Sequence, residues 1–287
     1  MDRIEFVRGD IRDPETVSRA CAGIQLVLHL AYVNGTRFFY EKPEQVIDIA
    51  IRGMLNVIDG CRTRNVRELV LMSSSEVYQT APRTPTAEDA PLIVPDLLNP
   101  RYSYGGGKIA CELMTINYGR TGFDRVVIVR PHNVYGADMG FEHVIPELTM
   151  RMRQLPPNPV PAPFRIQGTG RETRAFVHID DFVDGFLLCA EKGEHLGVYH
   201  VGNPEEVEIS KLARLIAEVL GSTILVQPSD LTAGSVLRRC PDISRACSLG
   251  YNPRIALAAG LPDVVKWYYT HADLATVAVQ IKRAQLP

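Results

Sequence analysis

The chain has 287 residues, 46% hydrophobic and 22% charged, with 31 basic against 33 acidic side chains and a net charge of −2. That length buries a full core in two domains or one large α/β unit, the composition excludes disordered and collagen-like classes, and the missing basic surplus gives no footprint for nucleic acid or an anionic membrane. No apolar run reaches the roughly 18 residues of a spanning helix. The charged opening MDRIEFVRGD differs from the apolar core of a signal peptide. Six cysteines in a chain this long are not a disulfide framework. Cys240 and Cys247, the closest pair, match no zinc spacing, so no metal is expected. The expected compartment is a reducing cytoplasm.

Ile4 to Val7 reads as a short strand. Asp13 before Pro14 reads as a cap and first helical residue, with the helix ending near Ala22 before Gly23. Leu26 to Ala31 (LVLHLA) is an apolar run suited to a strand buried on both faces. The spacing of Val46, Ile47, Ala50, Met54, Leu55, Val57 and Ile58 predicts a helix over about 44–62. Glu68 to Met72 (ELVLM) is the next strand, followed by Ser73-Ser74-Ser75. Ala81 to Pro100 is a Pro- and Thr-rich loop, then comes a helix over about 103–118 and a strand from Arg125 to Val129. Strictly alternating strands and helices imply a parallel sheet covered on both faces.

Leu155 to Pro163 holds five prolines and is excluded from helix interior and central strand. A strand at Ala175 to Val177, a helix over about 181–192 and a strand at Val198 to Val201 follow. The next helix runs from Ser210, its expected cap, to Leu220, with Gly221 as its stop. The last helix spans Leu257 to Tyr269. There is no internal repeat.

In doubly wound sheets, ligands sit at the carboxyl ends of the strands. Ser73-Ser74-Ser75-Glu76 lies at such an end, and Tyr104-Gly-Gly-Gly-Lys108 lies on the following helix. Residues four apart share a helix face, so Tyr104 and Lys108 can point into one site. A nearby cation favours the phenolate, which makes Tyr104 a general base suited to an alcohol. Three glycines in a helix each cost about 1 kcal/mol against alanine, which implies that something approaches the backbone closely, or that the helix starts later.

The order of the whole set resembles the extended short-chain dehydrogenase/reductase superfamily, in its NAD-dependent nucleotide-sugar epimerase/dehydratase branch, over nearly the whole chain. The resemblance implies a Rossmann-like doubly wound parallel sheet, incomplete at its N-terminus, with a smaller C-terminal α/β substrate domain. Its expected bounds are 1–136 for the NAD-binding part, with 173–203 returning to it, and 137–172 plus 204–287 for the substrate domain. GDIRD places Asp10 at the adenine, and HLA places His29, Leu30 and Ala31 beside the cofactor's pyrophosphate and ribose. SSSEVY makes Ser74 the catalytic hydroxyl, with Ser75 toward the substrate and Glu76 catalytic or only locally paired. YGGGK supplies Tyr104 and Lys108. RPHNVYG puts Pro131 and His132 near the nicotinamide and Asn133 at the substrate diphosphate. TRAFVHIDD points Arg174 at the same diphosphate, and RRCPD supplies Arg239 and Asp242 to hold the nucleotide. His29 reads equally as a core histidine, and Asp180 and Asp181 as helix-start carboxylates.

The resemblance implies C4 epimerisation of a nucleotide-diphosphate sugar through a 4-keto intermediate. Ser75-Glu76 stands where a 4,6-dehydratase carries an Asp-Glu pair, which disfavours dehydration. A glucuronate decarboxylase carries Ser-Glu there and is the alternative. The family's G-x-x-G-x-x-G loop is not in this sequence, and its chain begins where the family enters its third strand, about 50 residues in by the usual size of two βα units. Weak NAD binding, a tendency to aggregate through an uncovered strand edge and a non-catalytic nucleotide-sugar-binding remnant are therefore also expected. The resemblance further implies a homodimer through the helices at about 44–62 and 103–118, with Ala50 where a cofactor-side asparagine is usual.

Overall fold

The structure, a computed structural model, describes residues 4–33, 35–156, 158, 160–231 and 234–273. Pro157 and Pro159 of the proline run, and 274–287 of the expected second domain, lie outside the described residues. Helix α1 (Pro14–Ala20) is capped by the Asp13 carboxylate, which accepts the Glu15 N–H at 3.1 Å. Then come β1 (Leu26–His29), α2 (Thr36–Glu41), α3 (Pro43–Thr63), β2 (Glu68–Met72), a 3-10 turn (Ser75–Val77), α4 (Tyr102–Gly122) and β3 (Arg125–Pro131). The chain continues through β4 (Val134–Tyr135), α5 (Val144–Met152), β5 (Ala162–Gln167), β6 (Thr173–Ala175), β7 (Val177–His178), α6 (Ile179–Lys192) and β8 (Gly197–Val201). It closes with β9 (Glu206–Glu208), α7 (Ile209–Val219), β10 (Ile224–Ser229), β11 (Arg238–Arg239), α8 (Ser244–Ser248) and α9 (Leu257–Thr270).

The main sheet is parallel, in the order β1-β2-β3-β8, with His29 opposite Leu71, Met72 opposite Val129 and Pro131 opposite Val201. Its side chains alternate between two buried layers. Leu69, Leu71, Val126 and Ile128 pack with Met54 and Ile58 of α3 and Cys111 of α4. Val70, Val127 and Val129 pack with Phe182 and Phe186 of α6 on the opposite face. A third apolar cluster joins Ile145 of α5, Phe164 and Ile166 of β5, Leu212 and Ile216 of α7, and Leu261, Val265 and Tyr268 of α9. This is the Rossmann-like α/β architecture expected from the alternation of elements. No described helix is long and apolar enough to cross a membrane.

Three local expectations are corrected. Ile4 to Val7 forms no strand: no described strand lies beside it, and Ile4 and Phe6 are each 86% exposed. The strand expected at Ala175 to Val177 is split at Phe176, because β6 pairs with β9 and β11 whereas β7 pairs with β4. Ser210 is not a cap. The Ile209 and Ser210 N–H groups donate to the Glu172 and Gly170 carbonyls at 2.9 Å each, so the first turn of α7 needs no side-chain acceptor there. Pro163 lies within β5, and its exclusion from a central strand holds, because β5 and β10 form a two-stranded sheet.

Candidate active site

The carboxyl end of β2 and the first turns of α4 meet. Ser74 is the N-cap of the 3-10 turn, and its Oγ accepts the Glu76 N–H at 3.1 Å. Tyr104 lines the smaller of two cavities together with Ser74, whose hydroxyl acts to lower the Tyr104 pKa. Its ring stacks on Phe39 at 4.8 Å and meets Tyr32 edge-on at 5.1 Å. Lys108 Nζ donates to the Met72 carbonyl at 2.6 Å and lies 3.9 Å from the Tyr32 ring centroid, against 5.9 Å for Tyr104.

This corrects the expected lowering of the Tyr104 pKa. Burial pushes it up to about 12, against the opposing Ser74 hydrogen bond. Burial also pushes Lys108 down to about 8. The lysine's charge is directed at the Met72 carbonyl and the Tyr32 face rather than the Tyr104 hydroxyl.

The glycine run is helical, and its cause is close approach by the protein itself. A Cβ on Gly105 would lie 2.5 Å from Gln79 Nε2 and 2.9 Å from the Glu76 carbonyl oxygen. One on Gly107 would lie 2.3 Å from the Tyr32 hydroxyl and 3.0 Å from the Ala50 Cβ. Gly105 thus lets the Glu76 turn close onto α4, and Gly107 admits Tyr32 and α3.

Two cavities, of about 430 and 630 Å³, open from this point and share Glu76, Asn133, Tyr135, Met139, His143 and Arg239. Ser74, Ser75, Tyr104 and Pro131 line the smaller; Arg101, Arg174 and Glu172 line the larger. Arg239 Nη1 pairs with Glu76 Oε1 at 2.5 Å. Burial alone would raise the Glu76 pKa, but Arg239, with Arg101 and Arg174 behind it, holds it below the ordinary carboxylate value. Burial and the neighbouring Arg239 push Arg174 down to about 10. A surplus of guanidinium groups over carboxylate at Glu76 suits a multiply charged anion.

The remaining expected residues are placed unevenly. Asn133, at φ +39°, donates Nδ2 to the Ala175 carbonyl at 3.0 Å and lines both cavities. His132 is buried beside His200, with ring centroids 4.6 Å apart, and neither of its ring nitrogens has a hydrogen-bond partner among the described residues. His29 is buried at the end of β1, its pKa pushed down to about 4 by burial and the Lys108 charge. Leu30 and Ala31 are exposed just beyond it. Asp10 is exposed and held by Arg12 at 2.6 Å, and Arg12 also reaches Asp48 at 3.2 Å. Asp242 lines neither cavity; its carboxylate accepts the Ser244 N–H at 2.9 Å and the Ser244 hydroxyl at the start of α8. Arg101, Tyr32 and Phe39 escaped the sequence reading. Arg101 lies three residues before Tyr104, but the other two lie in a stretch without a recognisable pattern.

A parallel sheet covered on both faces, with a hydroxyl pair and an arginine-rich cavity at its carboxyl end, defines a nucleotide-binding α/β enzyme. The sequence profile of the NAD dependent epimerase/dehydratase family matches residues 1–202, and the chain belongs to that family. Members of this family are NAD-dependent enzymes. The chain is 29% identical to a dTDP-4-dehydro-6-deoxy-D-allose reductase of a Streptomyces species, with 94% of this chain and 83% of that protein aligned. It is also 29% identical to UDP-glucuronic acid decarboxylase 4 of Arabidopsis thaliana, over 91% of this chain but only 57% of that protein. A solved dTDP-glucose 4,6-dehydratase of Streptomyces venezuelae with NAD bound superposes with a TM-score of 0.83 at 26% identity, covering 96% of this chain and 82% of that one.

The described residues fit one end of NAD. Among them, only one of the three Lys108 N–H donors has a hydrogen-bond acceptor, the Met72 carbonyl, which leaves two for a ribose diol beside Tyr104 and Ser74. At the other end the fit is poorer: the Asp10 carboxylate is engaged by Arg12, and no described strand pairs with the outer side of β1.

Proposed function

We propose that the chain binds a nucleoside-diphosphate sugar across the two joined cavities and, with NAD, epimerises the sugar at C4 through a 4-keto intermediate. The observation that carries this reading is the Tyr104–Ser74 hydroxyl pair at the mouth of a cavity continuous with the one lined by Arg101, Arg174 and Arg239. Arg174 and Arg239, with Asn133, bind the diphosphate. Ser74 Oγ and Tyr104 Oη orient the sugar hydroxyl, and Tyr104 Oη takes and returns its proton. Lys108 holds the nicotinamide ribose through its remaining donors. NAD, when bound there, would supply a reversible hydride acceptor for the sugar carbon. The Phe39 and Tyr32 rings keep water from Tyr104.

Incubation with NAD and a panel of UDP- and dTDP-hexoses, read by NMR for C4 epimers, tests this. Failure with every hexose while nucleotide still binds sinks the epimerase reading and leaves a nucleotide-sugar-binding module.

A second reading, decarboxylation of UDP-glucuronate, is favoured by the Glu76–Arg239 pair and the nearby Arg101 and Arg174. Those guanidiniums can hold a sugar carboxylate, and C4 oxidation of a glucuronate makes a β-keto acid that loses CO2 readily. Release of CO2 and a pentose nucleotide from UDP-glucuronate would select it.

The apolar groove between α3 and α4 supports a homodimer. Ile47, Ile51 and Leu55 face Val94, Leu97 and Gly106 across about 890 Å³, and Leu97 and Leu98 are 89% and 92% exposed. A sedimentation mass of one chain would refute it.

A further inference from the structure

Behind Ser74 lies a buried polar network that none of the steps above uses. Lys108 and Glu112 are one turn apart on α4 and fasten consecutive residues of the chain leaving β2. Lys108 Nζ holds the Met72 carbonyl at 2.6 Å, and the Glu112 carboxylate accepts the Ser73 hydroxyl. Arg130, from β3, grips Glu112 with two parallel hydrogen bonds of 2.9 and 2.6 Å. Its other nitrogen donates to the Glu88 carbonyl at 2.8 Å and to the Tyr78 hydroxyl. Tyr78 Oη lies 2.7 Å from His200 Nε2, and His200 Nδ1 lies 2.9 Å from the Asp242 carbonyl oxygen. Glu112, Arg130, Tyr78 and His200 are all buried.

The topology of these bonds is informative. Ser73 immediately precedes Ser74, and Tyr78 immediately follows the 3-10 turn that carries Ser75 to Val77. One guanidinium–carboxylate pair therefore grips both ends of the segment bearing Ser74 and Glu76. Its carboxylate belongs to α4, the helix that carries Tyr104.

We propose that the Glu112–Arg130 pair is a positioning device that sets the Ser74 hydroxyl against the Tyr104 hydroxyl, acting through Ser73 at one end of the turn and Tyr78 at the other. None of its members touches the reacting atoms. The pair is rigid because it is desolvated and bidentate, and small errors in the placement of reacting groups cost rate steeply. The inference rests on the proposed role of Ser74 only for its kinetic consequence; the mechanical one is independent of substrate.

The experiment uses Ser73→Ala and Tyr78→Phe, which delete one terminal hydroxyl each and leave the ion pair intact, so the fold is retained. Native-state amide exchange is read by mass spectrometry on the full chain. Peptides covering Ser74 to Tyr78 should exchange about tenfold faster in both variants, with α7, which belongs to a separate apolar cluster, unchanged. With any nucleotide sugar that the parent turns over, kcat should fall about tenfold while KM stays within about twofold. Unchanged exchange across Ser74 to Tyr78 in both variants overturns the proposal, as does a rise in KM with kcat intact. If the parent turns over no sugar, the functional reading fails and the exchange result alone decides this one.

Discussion

The carboxyl end of β2 and the outer edge of β1 belong to one sheet but are built differently. Around β2, Ser73, Glu112, Arg130, Tyr78 and His200 are buried and mutually hydrogen-bonded, and the cavities open onto groups already held in place. Along β1 no described strand covers the outer side, Leu28 is 37% exposed and Leu30 51%, and Asp10 stands in solvent with Arg12. The half proposed to face the sugar is organised by its own hydrogen bonds, whereas the half expected to meet adenosine has little to offer it. Preorganised sites lose less on binding, so titration calorimetry should show UDP or dTDP binding more tightly than NAD. The reverse order would break the comparison.

The largest effect expected on the organised side is at Tyr104. Tyr104→Phe removes the proposed proton acceptor, and should lower kcat by about 10²–10⁴-fold without loss of nucleotide affinity. Because burial holds the Tyr104 pKa up at about 12, the phenolate is scarce at neutral pH. The parent's rate should rise with pH through the alkaline range. A rate already flat at pH 7 would mean that ligand binding brings that pKa down.

Stability should divide along the same line. Arg130→Met leaves the Glu112 carboxylate buried and unpaired, which costs about 3–5 kcal/mol in urea unfolding. On the open side, the Arg12–Asp10 pair is 32% and 50% exposed, so Asp10→Ala should cost less than about 1 kcal/mol. Equal losses would show that the two sides are not held differently.

Buried histidines give the organised core an acid limit. His29 and His200 have pKa values pushed down to about 4 by burial, against an ordinary 6.5. Between those values the unfolded chain binds protons that the folded chain refuses. The stability they contribute is therefore complete above about pH 6.5 and lost as pH falls toward 4, by roughly 3 kcal/mol for each. Burial also pushes His132 well below its ordinary value, so His29→Gln should remove about a third of that slope, and a variant with the parent's full slope would refute the assignment.

What could be read from the sequence was local. ELVLM and the apolar period of the helix at 44–62 announce β2 and α3 because burial on a sheet face or helix stripe leaves a periodic trace. The order of SSSE, YGGGK and RPHNVYG pointed to the candidate site, since each lies at a strand end or helix start. Properties set by distant partners left no trace. Ile4 to Val7 has strand composition but no described strand beside it. RRCPD does not say that Asp242 turns to Ser244 two residues on. Nor can Y-x-x-x-K spacing reveal that burial outweighs the lysine in setting the Tyr104 pKa.

The three consecutive glycines in the first turns of α4 carry the contrast into a single turn and set the smallest prediction. An added Cβ on Gly105 would meet Gln79 Nε2 at 2.5 Å and the Glu76 carbonyl oxygen at 2.9 Å, and one on Gly107 would meet the Tyr32 hydroxyl at 2.3 Å. Gly106 faces only Val94 Cγ2, at 3.5 Å, an ordinary contact. Helix propensity favours alanine over glycine by about 1 kcal/mol at each position, so Gly106→Ala should stabilise the monomer by up to that amount in urea unfolding. Gly105→Ala should destabilise it, because the Glu76 carbonyl is backbone and cannot yield cheaply. Gly106 also lines the groove between α3 and α4, so the same substitution tests the proposed dimer. A stabilised monomer that sediments with a weaker association constant means that a second chain comes close to Gly106; an unchanged constant places any partner elsewhere.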